Sequence, residues 1–476
     1  MTAAAGREPH RHGRLLRAFV AVSASLALVA AVGTAFAAIR YVDVRDVGTD
    51  DFGDLGPVGP DGPSATASPV PDTSRCAEEA CNYLILGSDS REGLTPEEQE
   101  RYGTDDDIGG ENRADTIMLV HLDPDLEKAI ILSFPRDLWV EVPGHGWDKI
   151  NAGFEGGLRG GGPQMMARTV ANLTGLRIDH VLYVDLAGFQ GIVDTLGGVD
   201  MCIPGYNADP GTGRIQDPLT GLDIAPGCQR LDGQQALAYV RTRHLRCDTI
   251  PDFARIGRQQ QFLRAVINQM LQPEQLLRAP TLIEPILANM SRDGRFEVGD
   301  LIYLVGELRG LSTGAAEFRS VPGYGGVQGG LSVVMMDPSA NEIFDAIREG
   351  RPITGVGEQL LNTPPSEANV EVAAVDAGGG ADAAGVLTLL SQAGFAVGAE
   401  VASPRDVGIG SRPRSVIAYA PGHEAEAEVV RSYLPHLSVV EVPGLDGVDA
   451  AVIVAADYRP PSEGGIDPDA TGCPAA

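Results

Sequence analysis

The sequence predicts a layered α/β protein, with a small second α/β domain behind the first and a single apolar helix ahead of both. Three observations predict it. Short apolar runs alternate with stretches of helical periodicity from residue 81 to 350, the pattern of strands and helices stacked in layers. A break containing Gly, Pro and Ser falls near 350–368, and the alternation resumes over 368–460. No charged residue stands between Ala18 and Ile39.

The uncharged span 18–39 would form about 33 Å of helix at ~1.5 Å per residue, enough to cross a bilayer core. Arg7, Arg11, Arg14 and Arg17 precede it. By the positive-inside rule they keep the tail 1–17 in the cytoplasm and send the rest of the chain outside. A cleaved signal peptide is the rival reading, since Ala35-Phe36-Ala37 has the small-x-small form of a cleavage site. The apolar run is longer than the ~7–15 residues of the usual signal core, which favours a retained anchor. The expectation is a single-pass protein of the cell membrane with its folded part extracytoplasmic. Residues 40–80, rich in Asp, Gly, Pro and Ser, read as a flexible linker.

The elements follow in order. Asn82–Leu86, Thr116–Leu122 and Ala129–Phe134 suit buried strands, Gln164–Leu173 a helix, Val181–Asp185 a strand and Phe189–Leu196 a helix. Gln234–Tyr239 and Ala254–Leu271 read as further helices. Ala265–Leu271, Leu282–Ala288 and Leu301–Leu308 are apolar on more than one face, which suits a tunnel wall and ordinary core packing equally. In the second domain Val370–Val375, Ser415–Ala420 and Ala450–Ala456 read as strands, and Ala381–Ala393 and His423–Tyr433 as helices. Residues 461–476 read as a disordered tail.

Lys plus Arg is 36 and Asp plus Glu is 65, a formal net charge of −29. Such a surface repels phosphate backbones, so no nucleic acid is expected as a partner. The six cysteines contain no CxxC pair and no zinc spacing with histidine. An even count in an exported chain favours disulfides, with Cys76–Cys81 and Cys202–Cys228 the expected pairs. Free buried thiols are the alternative. P-loop, GxSxG, HExxH and a GxGxxG after a strand are all missing from the sequence, so nucleotide hydrolysis, serine esterase and zinc peptidase chemistry lack their signatures.

Against this acidic background, short stretches concentrate Asp, Arg and Gln at strand and helix ends. They are Gly87-Ser88-Asp89-Ser90-Arg91, Arg113-Ala114-Asp115-Thr116, Ser133-Phe134-Pro135-Arg136-Asp137, Asp148-Lys149-Ile150-Asn151, Arg241-Thr242-Arg243-His244, and Asp252 with Arg255, Arg258 and Gln259. Ligands of α/β sheets bind outside strand ends, so Asp89 and Asp115 can face one crevice. Paired carboxylates beside hydroxyls suit Mg²⁺ or Mn²⁺; turn caps or pairs with Arg91 and Arg113 are the alternative. On a helix starting near Asp252, the residues Asp252, Arg255 and Gln259 fall within about 60° of one another, and Phe262 and Leu263 continue that face. The face begins charged and turns apolar, the polarity of a lipid pyrophosphate. Alternatively, Asp252 caps the helix with Arg255 as its partner. Arg241 and Arg243 can converge only in extended backbone, so the preceding helix should end before Arg241. Arg91, Arg136, Arg241, Arg243 and Arg255 together would grip a pyrophosphate.

The stretches NYLILGSDSR, RADTIML, SFPRDLWVEVPG, KINAGFEGG, IDHVLYVDLAGFQGIVDTLGGVD, LDGQQALAYVRTRH and DFARIGRQQQFL resemble the successive motifs of the LytR-CpsA-Psr family, in family order, over residues 81–310. Residues 368–460 resemble, more weakly, the LytR C-terminal domain of actinobacterial members; Val375-Asp376-Ala377-Gly378 stands where an Asn-Gly pair is frequent. The resemblance implies an α-β-α catalytic domain at 81–350. It further implies an enzyme that moves a phosphate-linked glycan from a polyprenyl-pyrophosphate carrier to a peptidoglycan hydroxyl. Asp89 and Asp115 would hold Mg²⁺, and Arg136, Arg241, Arg243, Arg255 and Gln259 would contact the pyrophosphate. Asp252, Asp137 and Asp89 are the candidate carboxylates for taking the acceptor's proton. A lipid-pyrophosphate hydrolase and a non-catalytic wall-binding or regulatory protein are the other functions the same residues allow. Composition and C-terminal domain suggest an actinobacterial chain with arabinogalactan as cargo.

Overall fold

The computed structural model describes residues 49–50, 76, 79–89, 96, 113–123, 129–154, 161–248, 251–270, 272–310, 316–353, 367, 370–378, 381–398, 400–409, 414–434 and 436–459. The strands begin with β1 (Thr49–Asp50), β2 (Cys81–Ser88), β3 (Ala114–Leu122), β4 (Ala129–Ser133), a hairpin of β5 (Trp139–Val142) and β6 (Gly146–Lys149), and β7 (His180–Val184). Next come β8 (Val199–Ile203), β9 (Ile215–Asp217), β10 (Leu222–Ile224), β11 (Gly227–Leu231), β12 (Ser291–Asp293), β13 (Ala316–Ser320) and a second hairpin, β14 (Gly323–Gln328) with β15 (Leu331–Met336). The helices of this part are α1 (Pro163–Thr174), α2 (Leu186–Thr195), α3 (Gly233–Arg241), α4 (Pro251–Met270), α5 (Pro273–Ala288), α6 (Val298–Gly310) and α7 (Ala340–Arg348).

Alternation along the strands sets the layers. The main sheet runs β1-β12-β7-β2-β3-β4-β13. Leu84, Leu86, Ile117 and Leu119 point to one face, where Val170 of α1 and Phe344 of α7 cover them. Tyr83, Met118 and Val120 point to the other, under Leu287 of α5 and Leu304 of α6. Each such side chain removed from water contributes about 1.5–3 kcal/mol. The result is the expected mixed α/β layering. The strands β8 to β11 form two-stranded ribbons beside it, packed with α2 and α3 in a separate cluster. Asp232 and Gln235 close a reciprocal capping box that starts α3.

The second unit comprises β16 (Glu371–Asp376), α8 (Ala381–Gln392), β17 (Ala396–Val397), β18 (Val416–Tyr419), α9 (Glu424–Arg431), β19 (Ser438–Glu441) and β20 (Ala450–Val454). Its sheet runs β17-β16-β20-β18-β19. Most expected elements coincide with observed ones to within three residues at each end, but the expected helix Leu282–Ala288 begins at Pro273, and β5, β6, β8 to β15 and α7 are not read from the sequence. One boundary matters: α3 extends through Arg241 rather than ending before it, and Thr242, its C-cap, is extended (φ −63, ψ 145). Asp252 is the second residue of α4, not its cap.

The disulfides Cys76–Cys81 and Cys202–Cys228 are both present. Cys202 and Cys228 are directly opposite in the β8–β11 ladder. Cys247 is disulfide-bonded too. Among the described residues no helix is long and apolar enough to cross a membrane; the span 18–39, the linker except for Thr49, Asp50, Cys76, Glu79 and Ala80, Arg91 and the tail 461–476 lie outside them.

Candidate active site

Antiparallel pairing of β2 with β3 brings the end of one strand to the start of the other. Asp89 leaves β2 there and Asp115 enters β3. The Asp89 N–H donates to the Arg113 carbonyl at 3.1 Å, and its Oδ1 accepts the Arg113 N–H at 2.9 Å. The strands lie close at this point: a Cβ on Gly87 would sit 2.9 Å from the Cβ of Thr116.

Guanidinium groups from two other elements converge on Asp115. Arg136, in the turn between β4 and β5, donates Nη1 to Oδ1 at 2.7 Å. Arg255, on the first turns of α4, reaches Oδ2 with Nη1 at 3.3 Å. Burial pushes the Asp115 carboxyl up, but the charges of Arg255, Arg136 and Arg243 outweigh it and hold it at about 2. Burial pulls the Arg255 guanidinium down, opposed by Asp115 and Asp252. A guanidinium starts so high that it stays charged.

Asp252 is the second focus. Its Oδ1 lies 3.2 Å from Arg255 Nη2, 3.5 Å from Arg136 Nε and 3.7 Å from Arg243 Nη1. These contacts balance charge without forming directed hydrogen bonds. Among the described residues Asp252 Oδ1, Arg136 Nε and Arg255 Nε are buried and have no hydrogen-bond partner. Buried polar groups are rarely left so.

Arg258, one turn along α4, supports the site from behind. It grips both oxygens of Asp248 at 2.8 Å and donates Nη2 to the Thr242 carbonyl at 2.6 Å. The link from α3 to α4, which carries Arg243, is thereby tied to the helix that carries Arg255. Gln259 donates to the Val240 carbonyl at 3.4 Å.

A cavity of about 180 Å³ opens at this point. Its polar lining includes Asp89, Asp115, Arg241, Arg255 and Gln259, and its apolar lining includes Ile85, Met118, Val184, Phe189, Leu237, Val240, Phe262 and Leu263. Along α4 the lining passes from Arg255 and Gln259 to Phe262 and Leu263, the face read from the sequence. Arg136, Arg243 and Asp252 stand beside the cavity, joined to it through Asp115 and Arg255. Asp137 turns instead to Lys149, 3.1 Å from its Nζ. Arg91 lies outside the described residues. The sequence reading did not assign the apolar walls from α2 and α3; Asp185, which caps α2 by accepting the Gly188 N–H at 2.7 Å, was the local signal that α2 starts there.

Among the described residues no three His, Cys, Asp or Glu side chains are grouped to hold a metal ion. Asp89, Asp115 and Asp185 are the carboxylates among the residues that line the cavity, with Ser88 and Thr116 hydroxyls beside them. That set fits Mg²⁺ held by one or two carboxylates together with substrate phosphates.

Comparison with known proteins came to the same region. A family model described as the LytR_cpsA_psr family matches residues 61–349. The probable cell wall biosynthesis protein LcpB of Corynebacterium glutamicum is 38% identical over 58% of this chain and 63% of its own. The cell wall biosynthesis protein LcpA of the same organism is 28% identical over 81% of this chain and 78% of its own. The polyisoprenyl-teichoic acid–peptidoglycan teichoic acid transferase TagU of Oceanobacillus iheyensis is 32% identical over 45% of this chain and 59% of its own. The matched stretch thus spans less than two thirds of LcpB and of TagU.

Proposed function

The chain belongs to the LytR-CpsA-Psr family, and from that premise we propose that it is a phosphotransferase of cell-wall assembly. It moves a glycan from a polyprenyl-pyrophosphate carrier onto peptidoglycan, as a glycopolymer–peptidoglycan ligase. The single observation that carries this reading is the change in polarity within one cavity, from Arg241, Arg255 and Gln259 to Phe262 and Leu263. A lipid pyrophosphate has the same polarity. The TagU relative is named for transfer from a polyisoprenyl carrier to peptidoglycan, which supports the same class of donor and acceptor.

In the reaction an acceptor hydroxyl attacks the phosphorus that bears the glycan. The bond from that phosphorus to the bridging oxygen breaks, and polyprenyl phosphate leaves with the bridging oxygen. Phosphoryl transfer needs charge neutralisation and alignment more than covalent help from the protein. Arg136, Arg241, Arg243 and Arg255 supply the charge, Arg241 and Arg255 from the cavity wall and Arg136 and Arg243 from beside it. Asp115, held at about 2, is too weak a base to take the acceptor's proton. Asp89, which lines the cavity, can take that proton only where it does not also hold the metal. Mg²⁺ held by Asp89 and Asp115 would neutralise further phosphate charge. The apolar span 18–39 would anchor the chain in the cell membrane with its catalytic part outside.

The test incubates the full-length chain with a synthetic glycan lipid pyrophosphate, peptidoglycan fragments, and Mg²⁺ or a chelator. Release of polyprenyl phosphate matched by glycan on the fragments is expected, lost with chelator and sharply reduced in Asp89→Asn and Asp115→Asn. Lipid phosphate released without glycan transfer would make the protein a hydrolase. Full activity in both variants would remove the metal role.

A further inference from the structure

We propose that the outward face of the β5–β6 hairpin is the docking surface for the acceptor glycan strand, with the Trp147 indole as its stacking platform. The sequence has two tryptophans, Trp139 and Trp147, and both stand on this hairpin. In its register Trp139 faces Lys149 and Glu141 faces Trp147. Cross-strand partners share a face and alternate residues point opposite ways. Leu138, Val140 and Val142 enter the core at 0, 3 and 0% exposure. Trp139, Glu141, Trp147 and Lys149 therefore form the other face, and Trp147 is 63% exposed. The indole thus offers a broad apolar face to a ligand with its ring edge still reachable by water.

The platform is continuous with the guanidinium cluster. Its Lys149 Nζ lies 3.1 Å from Asp137, and the Asn151 N–H donates to the Arg136 carbonyl at 3.2 Å. Arg136 in turn holds Asp115. A ligand lying on the hairpin face is thus delivered beside the groups that would hold the donor's phosphates, where an attacking hydroxyl is needed.

The chemistry of that face selects a sugar. One face of a pyranose ring presents C–H groups that pack on an indole, and its rim presents hydroxyls. Glu141 accepts from such hydroxyls and Lys149 donates to them. A membrane surface is the poorer fit. The chain carries a net charge of −29, and Glu141 on this face would meet anionic headgroups with like charge.

The inference rests on the transferase reading but is tested apart from it. Full-length protein in detergent is titrated with peptide-free glycan strands from peptidoglycan, without donor lipid, and followed by calorimetry. Binding is expected in the wild type. Trp147→Ala should weaken it at least tenfold and Trp147→Phe much less, with the melting temperature unchanged because the side chain is exposed. In the transfer assay Trp147→Ala should raise the acceptor KM at least tenfold and leave the donor KM alone. Wild-type protein that does not bind the strands, or Trp147→Ala that binds them as well as wild type, overturns the proposal. So does a variant that loses phosphatidylglycerol vesicles while keeping the glycan. Strand binding through Trp147 without any transfer would leave the surface standing and remove the proposed reaction.

Discussion

Arg255 is almost fully enclosed, and its guanidinium spans two carboxylates, Nη1 toward Asp115 and Nη2 toward Asp252. The second contact is the i,i+3 pair that a purely structural role would require. The first reaches across the fold to a residue of the cavity. A lysine ammonium cannot span both and cannot supply a planar two-pronged contact to phosphate. Arg255→Lys should therefore lower kcat/KM about ten- to hundredfold, the loss of one charge-assisted bond worth ~1.5–3 kcal/mol. Part of that loss should appear in kcat if the bond tightens in the transition state. Steady-state kinetics and thermal melting on the same preparation check it. A lower melting temperature with unchanged turnover would reduce Arg255 to a helix-stabilising residue.

At the level of elements, the link from α3 to α4 carries the site, and Arg258 holds it. With Arg258 and Asp248 almost enclosed, Arg258→Ala would leave a carboxylate buried without its partner, a loss of about 3–5 kcal/mol. Urea denaturation should show it, and a midpoint within error of wild type would mean that the link holds itself. A different element sets an acid limit. Asp293, at the end of β12, accepts the N–H groups of Val181 at 2.8 Å and Arg295 at 3.0 Å and faces His180 Nδ1 at 3.3 Å. Burial would push its carboxyl up, but these partners prevail and hold it below the ordinary carboxylate range. Its stabilising contribution is present above the unfolded value near ~3.9 and is lost as pH falls through the lower folded value. The stability gap between wild type and Asp293→Asn should narrow as pH falls from about 6 to about 2; a constant gap would show that Asp293 carries no such linkage. These elements were not equally legible in sequence. The α4 face was readable because helical periodicity is local, so Arg255, Gln259, Phe262 and Leu263 could be aligned without knowing the fold. The three residues of β12 were too few to register as a strand. Arg241 was placed outside α3 because two arginines two residues apart cannot share a helix face, yet only Arg243 needed to leave it. Gln260 and Gln261, about 1% exposed, could not be recognised as interior residues. Amides are ordinarily at the surface, and the partners of Gln260, Ser133 and Ser320, lie far away in the chain.

Across the whole molecule, one helix serves both units. Arg255 and Gln259 of α4 face the cavity, while Gln261 and Asn268 of the same helix face the second domain. Asn268 donates to the Ser391 carbonyl at 3.2 Å and Gln261 to the Ala393 carbonyl at 2.7 Å. Gly394 permits that approach: at φ +89 it takes a conformation side chains avoid, and a Cβ there would lie 2.7 Å from Gln261 Cγ. Behind it runs a closed polar chain. Tyr239 donates to Gln261 Oε1, Gln261 Nε2 donates to the Tyr433 hydroxyl at 3.0 Å, and Tyr433 donates to Glu367 at 2.8 Å. Burial pushes the Glu367 carboxyl up, and the Tyr433 bond counters it. A fully satisfied buried network of this kind rigidifies what it joins, and a half-satisfied one is costly. Tyr433→Phe keeps the ring that packs edge-on against Phe395 and deletes only the hydroxyl, so Gln261 loses an acceptor and Glu367 a donor. The expected loss is about 1–3 kcal/mol, read as a lower urea midpoint. Because the network spans both units, wild-type protein should unfold in one transition and Tyr433→Phe should release the second domain first. An unchanged midpoint, or two separate transitions already in the wild type, would mean that the second domain docks on α4 without stabilising it, and that the helix carrying Arg255 is held by the first domain alone.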